Sequence, residues 1–219
     1  DGKPTHLMGA VYKFYSPAIH CHDGIRLPED WVEWPIWNII DPHHVRAPAV
    51  GWVVRTAQRD IVLGEWPSED YTRMSASLLT IQDYAEKIQE LEHKCGIADR
   101  VLYRFADPNS MKFKYSTRSN DSDYSLTLQD LYANAGLFYE LAPDNLTTGH
   151  ELVSTALSYD VDRPVGPGNE PMLQFLADNL VAGGKMVNFP NSMSRYAIKA
   201  KPLESNKSPI NLKTIVSEQ

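Results

Sequence analysis

Two stretches of this sequence close in the same way. Trp37-Asn38-Ile39-Ile40-Asp41-Pro42 and Val101-Leu102-Tyr103-Arg104-Phe105-Ala106-Asp107-Pro108 are apolar runs that end in Asp-Pro. Ile, Val and aromatic residues suit a pleated, packed surface, so both runs read as buried β-strands. Proline cannot donate to a sheet ladder, so each strand should stop at its aspartate. Each carboxylate then sits at the mouth of a sheet on the end of a rigid element. There it can bond its own turn backbone, or it can hold a hard cation such as Mg²⁺. Two such strands side by side would present both acids at one edge. Two close carboxylates repel, and a cation between them relieves the repulsion.

The elements between these strands must bring them together. Ala49–Arg55 and Asp60–Trp66, joined by the polar turn 56–59, extend the first strand into an antiparallel meander. From 77 to 95 the period changes: Leu78, Ile81, Tyr84, Ala85, Ile88, Leu91 and Cys95 recur at three- and four-residue steps, with Gly96 as the stop. This amphipathic helix feeds the second Asp-terminated strand. Helix is expected again over 125–134 and 147–159, strand over 137–141 and 172–176, and a helix start over 178–187, weakened by Gly183-Gly184. Two short strands are expected within 5–22. The order of three strands and then alternating helices and strands is a ribonuclease H-like mixed α/β sheet flanked by helices. In that arrangement the strands that end in Asp41 and Asp107 are neighbours.

Several other residue types could do chemistry, each with a plainer alternative. Glu65 ends the third strand as an auxiliary ligand or a solvated acid. Lys112, Lys114 and Arg118 interleave with Phe113 and Tyr115 after Asp107, as a loop for a phosphate backbone or a solvated loop. Trp31, Trp34 and Trp37 can stack nucleobases or cover a core edge. His20-Cys21-His22 lacks a matching Cys/His set for zinc, and Asp160 and Asp162 lack the rest of a calcium loop. His43 or His44 can position a water or a phosphate, or can be plain loop residues.

Composition limits the classes. The chain has 219 residues, 42% of them hydrophobic, enough for one packed core. A net charge of −7 argues against coating nucleic acid by charge alone, though not against a local basic groove. Two cysteines, Cys21 and Cys95, fit a reducing compartment better than a disulfide framework. There is no run of about 18 apolar residues, and therefore no expected membrane span. The N-terminus carries no signal peptide pattern and starts without Met, as a domain cut from a longer chain would. Residues 1–198 read as the domain and 199–219 as a polar tail, partly disordered or an ordered arm.

The sequence resembles the C-terminal nuclease domain of the large subunit of phage DNA-packaging terminases. The resemblance rests on Gly9-Ala10-Val11-Tyr12, Leu27-Pro28-Glu29-Asp30-Trp31, Ile39-Ile40-Asp41-Pro42, Ala49-Val50-Gly51-Trp52, Leu63-Gly64-Glu65-Trp66-Pro67, Phe105-Ala106-Asp107-Pro108 and Pro171-Met172-Leu173-Gln174-Phe175. It implies an endonuclease that cuts concatemeric double-stranded DNA with two Mg²⁺ or Mn²⁺ ions, held by Asp41 and Asp107. It also implies an ATPase domain in the same longer chain, a small terminase subunit, a portal ring and the host cell cytoplasm. The family's third acid precedes an Arg-Tyr pair. Here Ser194-Arg195-Tyr196 has no acid just before it, which leaves Glu65, Asp178 and Glu218 as candidates or places the acid beyond the chain's end. The rival readings are a resolvase-like nuclease and an inactive module that docks DNA or a portal.

Overall fold

The computed structural model describes residues 11–43, 46–70, 79–116 and 125–196, and for Tyr115 and Ser116 only the backbone. Its centre is a six-stranded sheet in the order β7-β4-β1-β2-β3-β8. Strands β1 (Ile36–Asp41), β2 (Ala49–Arg55) and β3 (Asp60–Trp66) form the antiparallel meander. Strands β4 (Val101–Ala106) and β7 (Glu140–Leu141) run parallel to β1 on one side, and β8 (Leu173–Phe175) runs parallel to β3 on the other. This is the ribonuclease H-like arrangement, extended by β8.

The strands form because their apolar residues alternate. In β1 the side chains of Ile36, Asn38 and Ile40 are buried while Asp41 is exposed. β3 is covered on both faces, so Ile61 through Glu65 are all buried, and the register slips between Trp52 and Val53, which makes Leu63 an extra residue. A first core joins Ile36, Trp52, Val54 and Ile61 to Tyr84, Ala85, Ile88 and Leu91 of α2 (Ile81–Cys95) and to Leu128 and Tyr132 of α4 (Leu128–Asn134). Burying one such aliphatic side chain contributes about 1.5–3 kcal/mol. A second core, on the other face, groups Val62, Phe175, Tyr15, Leu157 and Met186. Phe189 and Met193 of α6 (Asn188–Arg195) and Val153 of α5 (Leu146–Ala156) pack against it.

Helix α2 is bounded by local chemistry. Thr80 and Asp83 exchange capping bonds at its start, and Gly96 takes φ 70° at its end, where a Cβ would be strained. The same reciprocal cap, Thr127 with Asp130, begins α4.

Some expectations are corrected. No strand forms within 11–22: Pro17–His20 is a helical turn, α1, because Pro17 at its first position suits a helix start. Residues 5–10 lie outside the described set. The expected helix over 178–187 is a tight turn closed by an Asp178–Lys185 bridge, with Gly183 and Gly184 both at positive φ. The helix comes just after it, as α6. Of 137–141 only Glu140 and Leu141 join the sheet. The expected loop after Asp107 contains a short helix, α3 (Pro108–Met111), and a strand, β5 (Lys114–Ser116), paired with β6 (Ser125–Thr127). The tail at 199–219 lies outside the described residues.

A candidate acidic site at the carboxyl edge of the sheet

β1 and β4 are parallel neighbours, with Ile39 opposite Phe105 and Ile40 opposite Ala106. The ladder continues one step further, where the Asp107 N–H donates to the Ile40 carbonyl at 3.3 Å. Asp41 and Asp107 therefore leave the sheet side by side at its carboxyl edge. The prolines act as the sequence implied: both strands stop before Pro42 and Pro108.

The two acids differ in their commitments. One oxygen of Asp107 caps α3, accepting the Ser110 N–H at 2.7 Å. Asp41 ends its strand exposed, with protein on its inner side. Its carboxyl is pushed above the usual aspartate value, first by desolvation and then by the charge of Asp107, with His43 opposing. His43 in turn accepts the Arg46 N–H on Nδ1 at 3.2 Å, which orients the ring beside the site. Lys112, at the end of α3, and Lys114, on β5, are exposed just beyond Asp107. Arg118 and His44 lie outside the described residues.

Glu65 occupies the same edge but has a different setting. It is 2% exposed, and its carboxylate caps α6. Oε1 accepts the N–H groups of Val187 and Asn188, and Oε2 that of Phe189, each at 2.6 Å. The positive end of the helix and three donors account for a charge at this depth. Of a carboxylate's roughly four acceptor sites three are taken, which leaves one lone pair, on Oε2, for a metal. Asp178 is exposed and paired with Lys185 at 2.7 Å, and Glu218 lies outside the described residues. Among the described residues no group of three His, Cys, Asp or Glu side chains converges as a metal site. His20, weighed as part of a His-Cys-His cluster, is fully buried and bonds the Leu157 carbonyl at 2.9 Å. Asp160 accepts the Asp162 N–H at 3.0 Å, an Asx-turn. Trp31 and Trp34 pack against the first core.

One polar cluster was not anticipated. Glu92 of α2, 2% exposed, accepts two bonds from Arg104 and one from the Trp52 indole. Asn38 accepts from Arg104 and from the Tyr139 hydroxyl. Arg104 in the middle of an apolar strand was the signal available for it. For the α6 cap the signal was Pro190, since proline is tolerated in a first helical turn.

No protein-family model matches the chain, and no curated protein matches its sequence. Solved structures do match. The large terminase of a thermophilic bacteriophage, in its second crystal form, superposes with a TM-score of 0.52 at 14% identity, covering 77% of this chain and 33% of that one. The same protein in complex with ADP gives 0.51 at 14% identity, covering 77% and 34%. This chain has the fold of a large-terminase domain. At such identity the likeness is one of fold, and the chain spans about a third of the length of the terminase chains it matches. No helix among the described residues is long and apolar enough to cross a membrane.

Proposed function

We propose that this chain is the nuclease domain of a terminase-like DNA-packaging protein, a metal-dependent endonuclease for double-stranded DNA. The observation that carries the reading is the meeting of Asp41 and Asp107 at the ends of adjacent parallel strands, with Asp107 helping to hold the Asp41 carboxyl above its usual range. Two carboxylates that repel one another at a sheet mouth are a donor set for hard divalent cations, so the residues present fit the Mg²⁺ or Mn²⁺ that such chemistry needs. Asp41, the more open of the two, and the Asp107 oxygen that does not cap α3 would hold the ions. When bound, a metal pair supplies an activated water and stabilises the leaving oxygen.

The rest of the work falls to this chain's own groups. The α3 cap fixes Asp107, and the continued ladder fixes the spacing between the two acids. Lys112, Lys114 and Arg118 would hold a phosphate backbone, and His43, whose Nδ1 accepts the Arg46 N–H, would orient a water or phosphate. By the same reading the chain works beside an ATPase domain of a longer protein, a small subunit and a portal ring, in the cytoplasm of an infected cell.

A supercoiled-plasmid assay with Mn²⁺ tests the reading. Cutting by the parent and none by Asp41→Asn or Asp107→Asn is expected. Equal cutting by the parent and both variants would overturn it.

One observation favours a second reading, that of an inactive module docking DNA or a portal: no third acid joins the pair among the described residues. Calorimetric titration with Mn²⁺ separates the two. Binding that Asp41→Asn abolishes supports the nuclease, and no binding at millimolar metal supports the inactive module.

A further inference from the structure

A group of hydrogen-bond donors at the other end of the sheet has no part in the acidic site. β2 reverses the chain and β3 reverses it again, so β3 and β8 run parallel to β1. Their first residues, Asp60 and Leu173, therefore lie at the edge away from Asp41 and Asp107. β3 has seven residues, which separates the two edges by about 20 Å. At this amino edge a cavity of about 400 Å³ opens between α1, the loop 22–26 and the segment 165–174. Ile19, Ile25 and Val165 give it an apolar wall.

The polar wall is held in place by hydrogen bonds. Gln174 lines the cavity and is 4% exposed. Its Oε1 accepts from Arg59 Nη1 at 3.0 Å, which fixes the amide, and its Nε2 has no acceptor among the described residues. A donor at this depth without an acceptor is costly, and a ligand oxygen would remove the cost. Arg59 is set by its turn: Thr56 Oγ1 donates to the Arg59 carbonyl at 2.8 Å and accepts the Arg59 N–H at 3.1 Å. Its Nη1 also pairs with Glu170 at 2.9 Å, which leaves Nη2 and Nε over. Arg26 spends Nη1 on the carbonyls of Asp23 and Ile25 and likewise keeps Nη2 and Nε. His22 accepts the Gly24 N–H on Nδ1 at 3.0 Å, so its neutral ring carries the proton on Nε2. The loop opposite is held by Asn169, whose buried amide donates to the carbonyls of Asp160, Arg163 and Pro164.

We propose that this cavity binds a small organic oxyanion, a carboxylate or phosphate group carried on a compact apolar body. The donors that line it belong to Gln174, His22 and two guanidinium groups, and they have acceptors to spare for. Arg26 and Arg59 share the wall with a single carboxylate, Glu170, so the wall is net positive. The acids next to His22 and Arg59 in the chain are engaged elsewhere: Asp23 pairs with Lys185 at 3.3 Å and Asp60 with Arg55 at 3.6 Å. A guanidinium fork matches two oxygens of a carboxylate or phosphate, and the Gln174 amide adds a further donor from the floor. The volume lies in the range of small-molecule sites, and the apolar wall suits the body that carries the charge. The site is remote from Asp41 and Asp107, and the binding does not rest on the nuclease reading.

Isothermal titration of the 219-residue chain with phenyl phosphate, benzoate and neutral benzyl alcohol tests the site. At least one of the two oxyanions should saturate a single site, and the tighter of them identifies the group. Benzyl alcohol should not bind in the same range, and inorganic phosphate, which lacks the apolar body, should bind more weakly than phenyl phosphate. Arg26→Ala and Gln174→Leu should each weaken oxyanion binding about tenfold. Lys94→Ala, which removes an exposed cation of α2, should leave it unchanged. Arg26 is exposed and bonds only carbonyls of its own loop, so Arg26→Ala tests the site even where Gln174→Leu lowers stability. No saturation by either oxyanion at about 10 mM would overturn the proposal and assign the Gln174 donor to water. So would benzyl alcohol binding as tightly as the oxyanions, or oxyanion binding that Arg26→Ala and Gln174→Leu both leave unchanged.

Discussion

The Glu65 carboxylate holds the backbone N–H of Phe189 at 2.6 Å, and with it the start of α6. Asn179 reinforces the same strand end: its side-chain amide donates to the Glu65 carbonyl at 2.7 Å, and its Oδ1 accepts the Glu65 N–H at 3.3 Å. Phe189 in turn lies over Gly51, the residue opposite Glu65, where a Cβ would meet its ring at 2.7 Å. The end of β3 is thus an anchor for the last described helix. Glu65→Ala leaves three helix N–H groups without their acceptor. It should cost about 3 kcal/mol in urea denaturation, and Glu65→Gln, which keeps one acceptor oxygen, about half of that. A loss below about 0.5 kcal/mol for Glu65→Ala would remove the anchor role.

The acid pair should be visible without any cutting. A carboxyl whose folded pKa is raised contributes stability that is present below the ordinary aspartate range and lost as pH rises through the raised value. At neutral pH in EDTA the Asp41 charge therefore opposes folding. Asp41→Asn should raise the melting temperature at pH 7, with the gain shrinking as pH falls through the aspartate range. Thermal melts across pH 3–8 measure this, and an unchanged or lower melting temperature at pH 7 would count against it.

The buried Glu92–Arg104 pair gives a sharper mutational signature. Arg104→Met strands the Glu92 charge at 2% exposure and should cost about 3–5 kcal/mol. The double variant Glu92→Leu/Arg104→Met removes both charges and should cost less than Arg104→Met alone, although it leaves the Trp52 indole without its acceptor. Denaturant titration of both variants checks the order. A double variant less stable than the single one would contradict it.

His20 should couple stability to pH. Burial lowers its pKa, against the raising effect of the Leu157 and Ser16 carbonyls. The folded protein then holds it neutral while the unfolded chain binds the proton at the ordinary histidine value. Stability is full above that value and falls as pH drops below it. The melting temperature should fall between pH 7 and 5, and His20→Gln should flatten that slope even where it lowers the melting temperature overall. An equal slope in the variant would place the effect on another histidine.

The sheet was legible because its signals are local. Alternation, Asp-Pro endings and the capping residues around 81–96 depend on near neighbours in the chain, and the structure keeps β1, β2, β4 and α2 close to where those patterns put them. Where a local signal was overridden, a specific residue did it. Gly183 and Gly184 turned an expected helix into a turn, and Pro17 made a helical turn of an expected strand. The pairing of β1 with β4 followed from the ribonuclease H-like element order, in which the helix after β3 carries the chain back across the meander to the strand that opened it.

Tertiary structure alone decided the setting of each acid. Asp41, Glu65 and Asp107 are all strand-end carboxylates in the sequence, and the Asp-Pro endings that mark two of them do not say how any of the three is surrounded. In the fold Asp41 and Asp107 exit neighbouring parallel strands, while Glu65 lies two strands from Asp41 beneath the start of α6. Burial, helix N–H groups and the charge of a neighbour are properties of packed elements distant in sequence. A carboxylate's type can be read along the chain, but its electrostatic setting exists only once the sheet has closed around it.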